Sequence, residues 1–273
     1  MSASVRREQI GRRELLRRRL LSRQRLIQLI VLLVVLAVWE AVGRHQGDFF
    51  LAPPSSVIST AVDEVPTAAF WSLLGSTATG ILLGFVIAAV LGVLLGVLMG
   101  TSRTAATILN PIVSAGYVIP EAAMVPLLIV WFGLGMTPRV VAVVLFAIFE
   151  IIVTTYTGVR NADGSLSDVV RSFGASRRQL FVKVTVPGAL PFIFAGLRIG
   201  AARAVKGMVV AELLFAATGI GGAIQLSANG FRTDQVMFYV IIVTIIGISF
   251  SGVVQLVERL WMRSWHESYR QTD

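Results

Sequence analysis

The chain has 273 residues, of which 55% are hydrophobic and only 14% charged, with a mean hydropathy of +0.79 and a formal net charge of +9. A soluble domain has no way to hide so much apolar surface, so the composition is that of a membrane protein. There is no cysteine and the only histidines are His45 and His266, which excludes disulfides, Cys-ligated zinc and thiol catalysis and argues against an imidazole metal site.

The chain opens on a basic tail, residues 1–25, in which Arg6, Arg7, Arg12, Arg13, Arg17, Arg18, Arg19, Arg23 and Arg25 face only Glu8 and Glu14. Directly ahead of an apolar run, such a cluster is expected to stay in the cytoplasm and meet anionic headgroups rather than a nucleic acid. It is too long and arginine-dense for a secretory leader, so the first span is expected to be retained.

From there to residue 262 the sequence reads as one transmembrane domain, an all-α polytopic protein of about six membrane helices. The apolar segments run roughly from Leu26 to Val42, Leu74 to Met99, Ala105 to Phe132, Arg139 to Thr157, Pro191 to Phe215 and Val236 to Leu256. Between the first two, LAPPSS from Leu51 predicts an extended turn leading into a short surface helix. The second span carries Gly80, Gly84, Gly92, Gly96 and Gly100, a smooth stripe against which another helix can pack closely. The third holds Pro111, Pro120 and Pro126 and is expected to be kinked or broken.

With the tail inside, Arg103, Arg160, Arg171, Arg177, Arg178, Lys183, Arg259, Arg263 and Arg270 fall on the cytoplasmic side, and Arg44, Arg139 and Arg232 outside. That asymmetry and an even span count both put the two termini, including a tail at 263–273, in the cytoplasm.

Residues 163–187, between the fourth and fifth spans, are too polar to cross a membrane and too patterned for a slack linker. Leu166, Val169, Val170 and Phe173 fall at i, i+3, i+4 and i+7, with Asp168 and Arg171 on the opposite side. Gly174 is placed to supply the left-handed residue that ends this helix, and Ala175 follows it. Ser176 and Gln179 have the spacing of a capping box at the start of a second helix, and Pro187 marks the junction with the fifth span. The product is a helix, a glycine turn and a second helix, a knuckle whose apolar stripe needs a partner: the bilayer surface, the protein itself or another subunit.

The pattern Asp168-Val169-Val170-x₃-Gly174-x₉-Val184-x-Val186-Pro187 resembles the EAA loop of bacterial ABC importer permeases, E-A-A-x₃-G-x₉-I-x-L-P, with Asp-Val-Val in place of Glu-Ala-Ala. FLAPPSSVI, VPLLIVWFGLG from Val125, GALPFIFAGLRIG from Gly188 and VVAELL from Val209 resemble the nitrate, sulfonate, taurine and thiamine-precursor branch of that family. The resemblance implies a type I ABC importer permease fold in a bacterial plasma membrane, with the knuckle as a coupling helix seated on a separate ATPase. It also implies two ATPase subunits carrying ATP and Mg, a second and identical permease chain, and an external substrate-binding protein. This chain has no G-x-x-x-x-G-K-[ST] phosphate loop and no cofactor of its own is expected, so it is read as a transporter subunit and not an enzyme.

Ionisable residues inside spans are costly and mark a pathway or internal pairing. Glu40 and Glu150 are placed near span ends, where they reach headgroups. Glu121 follows Pro120 in the broken third span, and Arg203 and Lys206 stand one turn apart in the fifth span, with Glu212 further along. These four are the candidate translocation path. The competing reading pairs Glu121 or Glu212 with Arg203 or Lys206 for structural reasons. The rival function is an ion-coupled secondary transporter, which does not predict the knuckle.

Overall fold

A computed structural model describes residues 25–45, 47, 50–162, 170, 172–215 and 218–270. The described residues are helical apart from short connections. The helices are α1 (Arg25–His45), α2 (Pro54–Glu64), α3 (Ala68–Thr101), α4 (Arg103–Val118), α5 (Glu121–Phe132) and α6 (Met136–Ala162). Then come α7, which joins Arg177–Leu180, a π-helical turn Phe181–Thr185 and Val186–Phe215, followed by α8 (Gly219–Asn229) and α9 (Thr233–Arg270). Five of these are long and apolar enough to cross a membrane, and the bent pair α4–α5 counts as a sixth when taken as one broken span.

The glycine stripe of α3 sets the central packing. A methyl group built on Gly92 would stand 2.8 Å from Ile151 Cγ2, and one on Gly96 would stand 2.6 Å from Thr155 Cβ. Gly84 meets Val143 and Gly100 meets Val159 in the same way, every pair being 59 positions apart. A constant offset means that α3 and α6 run parallel, backbone close to backbone, as small residues allow. Parallel neighbours need a return crossing between them, and α4–α5 supplies it despite a 99° bend. The bend falls at Ile119 and Pro120, both extended, just as the three prolines predict a break. Against α6, α7 runs the other way: Gly158 packs on Phe192, Gly200 on Ile151 and Gly207 on Phe146. Ile81, Phe85, Ala88, Val143, Ala147, Ile151, Ala204 and Met208 fill the core these three helices share.

The LAPPSS stretch behaves as expected. Pro53 is extended, Pro54 opens α2, and α1 is fastened here by Trp39 Nε1 donating to the Ala52 carbonyl at 3.1 Å. Glu40 accepts from the Ser55 amide at 3.0 Å and pairs with Arg44 at 2.6 Å, so it anchors α1 to α2 instead of only reaching headgroups. The rest of α1 exposes Leu29, Val31, Leu33 and Val35, the surface of a helix meant for lipid.

Two features differ from the expectation. The second helix of the knuckle is not separate, because α7 continues from Arg177 into the fifth span without a break. Pro187 lacks an N–H and crowds the carbonyl four residues before it, and the wider π turn just ahead absorbs that misfit. Helix α8 was not anticipated; its sequence GIGGAIQLSAN is glycine-rich and reads as a loop, yet it packs Ile220 against Val57, Phe70 and Phe238.

Candidate functional site

Two polar centres sit among the spans. The first is built on Glu212, fully buried near the end of α7. Thr77 Oγ1 of α3 donates to its carboxylate, 2.8 Å from Oε1 and 3.0 Å from Oε2. The Gly221 amide, in the first turn of α8, donates to Oε2 at 3.0 Å, and the Ile220 amide donates to Thr77 Oγ1 at 3.0 Å. Free amides at a helix start hold an anion well, so Glu212 caps α8 from another helix. Arg139 of α6 stands 3.4 Å from Oε1 and also donates to Ser76 Oγ and the Gly135 carbonyl. Four helices meet on one carboxylate. These bonds from three other helices make Glu212 a structural pin.

Arg139, the first residue of the expected fourth span, is 5% exposed in the first turn of α6. Glu212 pairs with Arg139, and not with Arg203 or Lys206. Gly219, at φ 79°, lies so close to Glu212 that any Cβ would collide with the carboxylate.

The second centre lies at the bend. Arg203 of α7 reaches Glu121 Oε1 at 3.1 Å and Glu150 Oε1 at 2.7 Å. Tyr117 donates its hydroxyl to Glu150 at 3.1 Å, and the Arg203 guanidinium sits 5.9 Å from the Tyr117 ring centroid. The α4–α5 break explains why: it puts Tyr117 and Glu121 on either side of Pro120, where both turn toward α6 and α7. Glu150 is therefore not a headgroup residue. It stands near the middle of α6, Met136–Ala162, as it already does in the expected span from Arg139 to Thr157. Lys206, one turn beyond Arg203, is exposed and has no ion pair among the described residues. Of the expected path residues, the structure thus unites Glu121 and Arg203, leaves Lys206 open nearby, and places Glu212 elsewhere.

In the knuckle, Leu166, Asp168 and Val169 lie outside the described residues. Gly174 has φ 80°, and the Ala175 amide donates back to the Val170 carbonyl at 3.4 Å, the six-to-one bond of a Schellman cap. Phe173 is 86% exposed beside that turn. The Ser176 capping box is formed in both directions, with Ser176 N to Gln179 Oε1 at 2.9 Å and Gln179 N to Ser176 Oγ at 3.3 Å. Among the described residues no group of acidic residues or histidines is arranged to hold a metal.

Parallel α3 and α6, a broken return crossing and an exposed glycine-turned knuckle define the membrane-embedded part of a transport system. The chain belongs to the family described as binding-protein-dependent transport system inner membrane component, which matches residues 88–263. It is 34% identical over 237 residues to an Escherichia coli (strain K12) permease protein named for aliphatic sulfonates transport, covering 86% of this chain and 90% of that one. Identity to the taurine transport system permease protein of the same organism is 31%, over 86% and 88% of the two chains. For the formylaminopyrimidine transport permease protein of Halalkalibacterium halodurans it is 30%, over 84% and 91%. A solved inward-facing structure of the MetNI methionine ABC transporter has the same fold, with a TM-score of 0.60 over 70% of this chain and 96% of that one, at 20% identity.

Proposed function

We propose that this chain is the permease of an ATP-driven importer in a bacterial plasma membrane, moving a small polar solute of the sulfonate or taurine kind. Both termini lie in the cytoplasm, following the arginine distribution. Two ATPase subunits, carrying ATP and Mg, dock on the knuckles of two identical permease chains, and an external binding protein delivers the solute. Residues 166–175 and Pro187 form the coupling element. The observation that carries this reading is Phe173, a large apolar side chain, 86% exposed, held out beside a left-handed turn where a groove on a partner subunit would cover it. Rigidity matters because a slack loop transmits no displacement, and the Gly174 turn and Ser176 capping box leave this one little slack.

Glu121, Arg203 and Lys206 line the path at the level of the α4–α5 bend. Charged groups only part-buried within spans must face water or protein, not lipid. The test is purification of the tagged chain from its native membrane, with identification of companions by mass spectrometry and uptake assays in proteoliposomes. The reading predicts a co-purifying ATPase and uptake that stops without ATP. A complex lacking an ATPase, or uptake driven by an ion gradient alone, would overturn it.

A further inference from the structure

The cluster at the bend is unbalanced. Two carboxylates, Glu121 and Glu150, share one guanidinium, so with all three ionised the group carries one negative charge in excess. Within a membrane span that excess is costly until a proton or a cation answers it. No further cation of the described residues comes within ion-pair distance, and Lys206 is exposed one helical turn along α7. The carboxylates are also within reach of a visitor: the Glu121 and Glu150 side chains are 20% and 14% exposed. Arg203 and Tyr117 both bond Glu150 Oε1, at 2.7 and 3.1 Å, which fixes that oxygen.

We propose that Glu121 and Glu150 receive the ammonium end of a small zwitterionic solute whose acid group is met by Lys206. This rests on the reading of the chain as a permease with its path at the bend, and it narrows the substrate class from polar solutes to those bearing both charges. A plain anion gains Lys206 but meets the surplus carboxylate, whereas a plain cation gains the carboxylates alone. Only the zwitterion answers both, and specificity at the station is the difference between these cases.

The experiment uses the complete complex in nanodiscs without its binding protein, and equilibrium binding of four probes. They are 2-aminoethanesulfonate, β-alanine, propane-1-sulfonate and propylamine. At least one of the two zwitterions is expected to bind roughly tenfold more tightly than either singly charged probe, a difference of ~1.4 kcal/mol. Lys206→Gln, which removes no ion pair, is expected to bring that zwitterion down to the level of propylamine while leaving propylamine unchanged. Glu150→Gln is expected to abolish the preference for an ammonium group. Equal binding of propane-1-sulfonate, or no binding of either zwitterion, would overturn the proposal, as would a Lys206→Gln complex that keeps the preference. ATP-dependent uptake and ATPase retention in the same preparations report on the permease reading separately, so either can fail without the other.

Discussion

Thr77 and Glu212, 135 positions apart in sequence, are joined by a hydroxyl that stands within 3.0 Å of both carboxylate oxygens. Thr77 also accepts from the α8 backbone, and Arg139 closes the group from α6. Removing one member leaves the others buried without partners, which is the expensive way to break such a centre. Glu212→Ala is expected to cost ~3–5 kcal/mol, and Arg139→Gln combined with Glu212→Gln much less than Glu212→Ala alone. Thermal unfolding of the purified variants checks this; equal losses would show that the charges are not coupled.

Gly219→Ala is expected to be more damaging than its size suggests. The position combines a φ of 79° with direct contact on the Glu212 carboxylate, so the added methyl has no free space and an unfavourable backbone. Folded yield in the membrane should fall sharply, while Gly75→Ala, with nothing within 4 Å of the new Cβ, should be silent.

The α3 stripe makes a similar contrast within one helix. Gly92→Leu and Gly96→Val would force α3 away from Ile151 and Thr155, and the parallel register with α6 would be lost. Loss of thermal stability in both variants, against none for Gly75→Ala, is the expected pattern; stable Gly92→Leu protein would contradict the packing.

Much of this was legible beforehand, and the reasons differ by element. The glycines of α3 advertise a close helix contact because their spacing is helical, but nothing in them says that α6 is the partner. The knuckle could be read because caps and left-handed turns are local chemistry: Ser176, Gln179 and Gly174 each fix a few neighbouring dihedrals. The Arg139–Glu212 pair spans 73 positions, so no local pattern joins the start of the fourth span to the end of the fifth. Glu150 was read as a headgroup residue although the expected span, Arg139 to Thr157, already held it near the middle; its partners Arg203 and Tyr117 lie on other helices, beyond what local spacing shows. Helix α8 was hidden by three glycines, of which Gly219 and Gly221 lie against Glu212 too closely for a side chain.

Replacing Arg203 and Lys206 together with Gln is expected to lower the maximal uptake rate by roughly tenfold, about 1.4 kcal/mol of barrier. ATPase association should be unchanged, since neither residue lies near the knuckle. Unaltered transport kinetics in that double variant would remove both from the path.

Gly174→Val carries the coupling role to a test. A β-branched residue at φ 80° costs at least about 1–2 kcal/mol, which the short turn can relieve only by unwinding. Membrane insertion is expected to be normal and ATP-driven uptake lost. Normal uptake would show that the turn transmits nothing.

The absence of native cysteine allows the most direct measurement. With Phe173→Cys as the single thiol in the assembled complex, a short photoactivatable linker on that thiol should cross-link to the ATPase subunit. The yield should change when ATP is bound. Cross-links only to lipid or to the permease itself, in a complex that still hydrolyses ATP, would contradict the claim that this knuckle couples the two subunits.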